Sequence, residues 1–184
     1  NGKRSLAVRC KQQLLVQTHS SDLWLIFVPI KRTRMDFMVQ KATELGVSKI
    51  WPVQSEFGQV KQIREDKLRA NMIEAAEQTE RLDLPEIEAF TPLQTVLDNS
   101  SEDRVIVVCD ETKSDAWLDH YMHQLNRNLT VKAAILIGPE GDFSILEVEM
   151  ALKNNYIPVS LGNARLRTET AGVIACHTIA LHHE

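Results

Sequence analysis

Two stretches of this chain carry the side chains with chemistry to offer. The first is Ile135-Leu-Ile-Gly-Pro-Glu-Gly-Asp-Phe-Ser144, and the second is Ser160-Leu-Gly-Asn-Ala-Arg-Leu-Arg-Thr-Glu-Thr-Ala171. In the first, Gly138 and Gly141 let a ligand approach the backbone with no Cβ in the way, and Pro139 stiffens the turn that carries Glu140. Such a turn can hold N–H and C=O groups ready for a flat heterocycle. It can equally be an ordinary strand-to-helix connection, and local physics leaves both readings open. The second stretch places Arg165, Arg167, Thr168, Glu169 and Thr170 close together, with Leu161, Gly162 and Leu166 beside them. The arginines suit phosphate, and the hydroxyls or the carboxylate can cap a helix whose N-terminus adds its own partial positive charge. One helix needs one cap, so the surplus points to a site, with Glu169 as a simple first-turn acid the alternative.

These loops need elements to hold them. The runs 23–29, 104–109 and 131–137 are apolar apart from Arg104 and Lys132 near their starts, as strands buried on both faces of a parallel sheet are. Residues 48–53 and 156–161 supply two more strands, and Pro85 and Pro92 bracket a short extended piece. Met35, Met38, Ala42 and Leu45 recur at helical spacing, with Gly46 at the C-cap position. Leu68, Met72, Ala75, Ala76 and Thr79 mark a helix over 66–80, and Leu118, Tyr121, Met122 and Leu125 mark another. Ser144-Ile-Leu-Glu147 has the form of a capping box, so a helix starts there. A last helix is expected from about Thr170, with Ala171, Ile174, Ala175, Thr178 and Leu181 available for packing. Strands alternating with helices give an α/β fold with a mostly parallel sheet flanked by helices. The two polar loops then meet at the carboxyl edge of that sheet, where open α/β sheets bind ligands.

Composition removes several function classes. A chain of 184 residues with 43% hydrophobic content has room for one well-buried domain and a fragment of a second. No apolar run has the length of a membrane helix and no signal-peptide pattern is present, so no membrane partner is expected. Neither G-x-x-x-x-G-K-[ST] nor G-x-G-x-x-G occurs, which argues against an ATPase or a dinucleotide enzyme. Cys10, Cys109 and Cys176 are isolated, as in a reduced, cytoplasmic protein. His120 and His123 read as a polar helix face and His182 and His183 as an exposed terminus, so no metal is expected.

The net charge of −4 is unevenly spread. Residues 1–34 set Lys3, Arg4, Arg9, Lys11, Lys31, Arg32 and Arg34 against Asp22, a balance of +6 that leaves −10 for the rest. A basic end on an acidic body is the distribution of a protein that grips phosphate with one part and works with another. Residues 3–17 also alternate polar with apolar through Leu6, Val8, Cys10, Leu14 and Val16, which predicts a strand or hairpin. That would be the tail of a β-rich domain, with 18–22 as a short linker.

Leu136-Ile-Gly-Pro-Glu-Gly141 with Phe143-Ser144, followed by Leu161-Gly162 and Leu166-Arg-Thr-Glu-Thr-Ala171, resembles the signature of the bacterial 16S rRNA (uracil-N3)-methyltransferases, the RsmE family. Gln40-Lys-Ala-Thr-Glu-Leu-Gly-Val47, Glu74-Ala-Ala-Glu-Gln78 and Pro85-Glu-Ile87 extend the resemblance, which covers the chain from Leu23 onward. Both C-terminal motifs at this separation make a specific signal; each alone is weaker. The resemblance implies a SPOUT-type domain over 21–184, with a C-terminal trefoil knot whose loops hold S-adenosylmethionine. It implies a homodimer with the active site at the subunit interface. It also implies that residues 1–20 are the remnant of an N-terminal PUA-like β-barrel that binds RNA.

Position by position, the resemblance assigns Gly138, Pro139, Glu140, Gly141, Leu161, Gly162, Leu166 and Thr170 to the cofactor, and Arg167, Thr168 and Glu169 to the substrate base. Arg81 is expected to contact RNA, together with the basic Arg32, Arg34 and Arg165. The sequence departs from the family at Asp142, where a second glycine is usual. It departs again at Asn163-Ala164-Arg165, which replaces Pro-Arg-Ile/Val, and at Glu80-Arg81, which replaces Gly-Arg. The implied reaction methylates uracil N3 in 16S rRNA of the small ribosomal subunit. Its nucleophile is a deprotonated imide, with Arg167 stabilising the charge and Glu169 accepting the proton. The rival readings are a SPOUT enzyme acting on a ribose 2′-OH or another base, and a non-catalytic RNA-binding module.

Overall fold

The computed structural model describes residues 7–14, 16, 20–99, 104–110, 117–125 and 132–182. Lys3, Arg4, Leu6 and His183, named above, lie outside them, as do residues 18, 19 and 131 and the side chain of Leu125. Every strand pairing among the described residues is parallel. In chain order the elements are β1 (Leu23–Phe27), α1 (Arg32–Glu44), β2 (Lys49–Gln54), α2 (Glu65–Gln78), β3 (Glu86–Ile87), β4 (Thr91–Pro92) and α3 (Leu93–Asp98). They continue with β5 (Arg104–Cys109), α4 (Leu118–Leu125), β6 (Lys132–Ile137), α5 (Ile145–Lys153), β7 (Ile157–Val159) and α6 (Thr168–Ala180). The sheet order is β3-β2-β1-β6-β5-β7, with β4 also on β2.

The unbroken apolar runs are explained by the two cores they serve. Successive residues of a strand point to opposite faces. Leu23, Leu25 and Phe27 of β1, with Ile135 and Ile137 of β6, pack with Met38, Met72, Met122 and Ile179 from α1, α2, α4 and α6. Ile26 and Val28, with Ala134 and Leu136, pack on the other face with Leu93, Val96 and Leu97 of α3 and Ala151 of α5. Truncating a side chain as buried as Phe27 to alanine costs ~3–5 kcal/mol, enough to unfold a marginal domain.

The helix ends follow local chemistry. At the end of α1, Gly46 has φ 81°; its N–H donates to Thr43 O at 3.2 Å and that of Val47 to Ala42 O at 3.1 Å. This pair of bonds is a Schellman motif, which glycine enters without a Cβ penalty. After β7 at the sheet edge the chain returns, so that α6 packs against β6, β1 and α1. Gly172 permits that approach: a Cβ there would lie 2.6 Å from Met38 Sδ.

Three expectations need correction. Helix α6 begins at Thr168, two residues before the expected Thr170, because its polar first turn carries no apolar periodicity. Helix α3 was not expected; Leu93, Val96 and Leu97 have helical spacing, but six residues between Pro92 and Asn99 are too few for the period to stand out. The described residues 7–14 form no strand, and Val8, Leu14 and Val16 are more than four-fifths exposed. A strand needs a neighbour to satisfy its backbone, and none of the described strands pairs with this segment. Among the described residues no helix is long and apolar enough to cross a membrane.

Candidate active site

The first loop is fixed at both ends. Where β6 stops, Ile137 O accepts from Val28 N–H at 3.0 Å, tying the turn to the end of β1. Phe143 then folds back on Gly138, where a Cβ would stand 3.0 Å from the ring, so only glycine fits this turn without a shift. Asp142 N–H closes the turn on Pro139 O at 3.1 Å, with Asp142 itself at φ 65°. This is the position where the RsmE pattern has glycine; aspartate is among the few residues that enter the left-handed region at modest cost. Beyond it the capping box forms in both directions, Ser144 N–H to Glu147 Oε2 at 2.9 Å and Glu147 N–H to Ser144 Oγ at 3.3 Å. The other carboxylate oxygen of Glu147 accepts from Glu56 N–H at 2.9 Å, which fastens the loop after β2 to α5.

The second loop starts where Ser160 O accepts from Leu118 N–H at 2.9 Å and Ser160 Oγ accepts from Gly162 N–H at 3.2 Å. Gly162 has φ 121°, a conformation closed to other residues without strain. The loop then enters α6 with Arg167 as N-cap, and no side chain caps the helix. The expectation that Thr168, Glu169 or Thr170 would serve as cap is therefore corrected: Thr168 and Glu169 lie inside the helix. Its first N–H groups and its partial positive charge are left for a ligand.

Between the loops lies a cavity of about 420 Å³. Its walls are Cys109 and Asp110 from the end of β5, Ile137 to Glu140 and Asp142 from the first loop, Leu161, Gly162 and Ala164 to Thr168 from the second, and Ala171 of α6. Of the residues expected to hold the cofactor, Gly138, Pro139, Glu140, Leu161, Gly162 and Leu166 line it, and so do Arg165, Arg167 and Thr168. Gly141 instead faces a neighbouring cavity lined by Ile30, Lys31 and Phe57, and Thr170 lines neither. Cys109 was missed, although its place at the carboxyl end of a buried strand could have flagged it. Burial pushes its thiol up to about 12, so it stays protonated and serves as wall rather than nucleophile.

Glu169 is not among the residues that line the cavity. It is buried, its Oε1 lies 3.7 Å from Arg34 Nε, and its Oε2 has no hydrogen-bond partner among the described residues. Arg34 also donates to Glu140, so one guanidinium joins both loops. Arg32 is exposed at the start of α1, 3.6 Å from Asp36. Arg81, expected to contact RNA, acts as an internal brace in this structure. Its side chain is 10% exposed, and it donates to Thr43 O at 2.6 Å, Val47 O at 2.9 Å and the Asp83 carboxylate at 2.9 Å. The guanidinium is thus held mainly by the protein itself.

A family model described as an RNA methyltransferase domain matches residues 17–180. The chain belongs to this RNA methyltransferase domain family. Within it, the chain is 33% identical over 181 residues to ribosomal RNA small subunit methyltransferase E of Rickettsia conorii, covering 98% of this chain and 72% of that protein. A probable rRNA-methyltransferase from Porphyromonas gingivalis superposes with TM-score 0.78 at 34% identity, over 94% of this chain and 73% of that one. A ribosomal RNA small subunit methyltransferase E from Neisseria gonorrhoeae, bound to S-adenosyl methionine, superposes with TM-score 0.76 at 28% identity, over 85% of this chain and 64% of that one. The chain spans from about half to about three quarters of the length of the relatives it matches. The fold of this methyltransferase domain agrees with the SPOUT-type architecture the sequence implied.

Proposed function

We propose that this chain is an S-adenosylmethionine-dependent methyltransferase that modifies N3 of a uridine in 16S rRNA of the small ribosomal subunit, as a cytoplasmic homodimer. The observation that carries this reading is the convergence of residues 138–140 and 142 with residues 161, 162 and 164–168 on one cavity at the carboxyl ends of β5, β6 and β7. The cavity suits the cofactor. Its volume lies within the roughly 300–1,000 Å³ of small-molecule sites. Gly138 leaves backbone where a Cβ would collide, Leu161, Leu166 and Ala171 offer apolar contact, and Asp110, Glu140 and Asp142 can face a cationic ligand.

When bound, S-adenosylmethionine supplies an electrophilic methyl carbon. The protein's task is to generate and hold the imide anion of the uracil. Arg167 stands exposed at the N-terminus of α6, where its charge and the helix end together stabilise negative charge on the base. Thr168 at the cavity wall helps orient it. Glu169 accepts the N3 proton, and its orphaned Oε2 is a buried oxygen with a lone pair to fill. Reaching it requires Arg34 to yield part of its hold on that carboxylate, which an incoming phosphate can bring about by competing for the guanidinium. Arg165, Arg32 and the exposed Arg9 and Lys11 add phosphate affinity that weakens with salt. In this reading residues 21–184 are the methyltransferase domain, residues 1–20 are the tail of an RNA-binding barrel, and the return of α6 across the sheet belongs to a trefoil knot.

The test is incubation with labelled S-adenosylmethionine and small subunits from a strain lacking the modification, followed by mass spectrometry of the nucleosides. N3-methyluridine is the expected product. A 2′-O-methylated nucleoside or another methylated base overturns the assignment of N3, and absence of both methylation and cofactor binding overturns the enzyme.

A further inference from the structure

We propose a second site, for a late first-row divalent cation such as Zn²⁺, formed by Asp119, His123 and His182 where α4 meets the end of α6. It is independent of the methyl-transfer reading. Asp119 and His123 are four residues apart on α4 and so share one face. His182, two residues beyond α6, brings its Nε2 to 3.3 Å from Asp119 Oδ1, and His123 Nε2 lies 3.7 Å from Asp119 Oδ2. The two imidazole rings stand edge to face with centroids 4.6 Å apart. The ligand atoms of all three residues fall within 4.8 Å of one another.

The donor set is informative. Two imidazole nitrogens and one carboxylate oxygen are the three-ligand arrangement of an open zinc site, with water completing the tetrahedron. Metal–ligand bonds of ~2.0–2.2 Å bring such donors slightly closer than they stand here, a contraction that the exposed His123 side chain can supply by rotating about its own bonds. The His182 side chain is 8% exposed and fixed by its surroundings, whereas those of His123 and Asp119 are 69% and 64% exposed. One ligand is thus preset, and the other two close over an ion that arrives from solvent. A simple ion pair needs only one imidazole per carboxylate, and here two imidazoles converge on the same one. This replaces the sequence expectation, in which His182 was an exposed terminal residue and no metal was foreseen.

The site lies at the opposite end of α6 from Arg167, ~20 Å away along thirteen residues at 1.5 Å each, so the ion takes no part in methyl transfer. Its effect is to pin α4 to α6. The same end of α4 reaches the second loop, because Leu118, next to Asp119, donates its N–H to Ser160 O.

Metal-free protein titrated with ZnCl₂ in a calorimeter, with thermal melts in zinc and in chelator, tests the proposal. The expected result is one saturable equivalent in the unsubstituted chain, a rise in melting temperature with zinc, and at least tenfold weaker binding in both H123A and D119N. Both substituted side chains are solvent-exposed, and chelator melts equal to those of the unsubstituted chain will verify intact folding. Absence of a saturable equivalent, or zinc binding undiminished in H123A, overturns it.

Discussion

Arg34 Nε stands 3.7 Å from Glu169 Oε1, on the only side of that carboxylate that is partnered among the described residues. The contact links the first turn of α1 to the first turn of α6 and leaves Oε2 with no hydrogen-bond donor among the described residues. If Glu169 takes the N3 proton, Glu169→Gln keeps the shape and removes the base. Methylation is expected to fall ~10²–10⁴-fold, the usual contribution of a positioned base. S-adenosylmethionine affinity by calorimetry should be little changed, and full activity in this variant removes Glu169 from the mechanism.

Arg34→Lys keeps the charge but not the fork that reaches Glu140 and Glu169 together. Methylation rate should fall while the melting temperature barely moves, since the side chain is partly exposed. Equal losses in rate and stability would mark it as a purely structural link.

Arg81→Ala should act in the opposite way. It removes a buried guanidinium that satisfies two backbone carbonyls and Asp83, at a cost of about 3 kcal/mol, while RNA affinity per folded molecule stays the same. Urea unfolding and filter binding separate the two. The Arg81 hydrogen bond holds the Asp83 carboxyl below its ordinary value of 3.8. That contribution to stability is complete above the unfolded value and disappears as pH falls through the lowered folded one. The difference between Arg81→Ala and the unsubstituted chain should therefore narrow in acid.

Asp142 holds φ 65° at the mouth of the cavity. Asp142→Gly should raise or preserve stability, and Asp142→Val should lower it by ~1–2 kcal/mol, the penalty for a side chain in the left-handed region. Thermal melts decide this, and a valine variant as stable as the aspartate would contradict the backbone geometry.

Thiol chemistry gives a fifth handle. Burial raises Cys109 to about 12 and pushes Cys176 up further, whereas Cys10 is exposed. Iodoacetamide at pH 8 should modify Cys10 alone in the folded protein and all three cysteines in urea, read by peptide mass. Rapid native labelling of Cys109, which is half-buried at the cavity wall, would contradict the raised pKa of its thiol.

The sheet was legible because its central strands are buried on both faces, which writes them as unbroken apolar runs. The capping box at Ser144 and Glu147 and the Schellman glycine Gly46 were legible because their chemistry is local. What the sequence hid depends on contacts between distant residues. Arg34 and Glu140 are 106 positions apart, and His182 and Asp119 are 63 apart. Nothing in a one-dimensional pattern says that an arginine in a motif, such as Arg81, points inward. The polar first turn of α6 also concealed its start, because Thr168, Glu169 and Thr170 carry no apolar periodicity.

The return of α6 from the sheet edge to the strands β6 and β1 has a consequence for synthesis. While a ribosome is still making residues 161–172, the emerging chain already carries β1 to β6 and one wall of the cavity, but not the other. Cofactor affinity therefore arises only once residues 161–171 have been made, so this domain cannot hold the methyl donor before its second loop and the start of α6 are present.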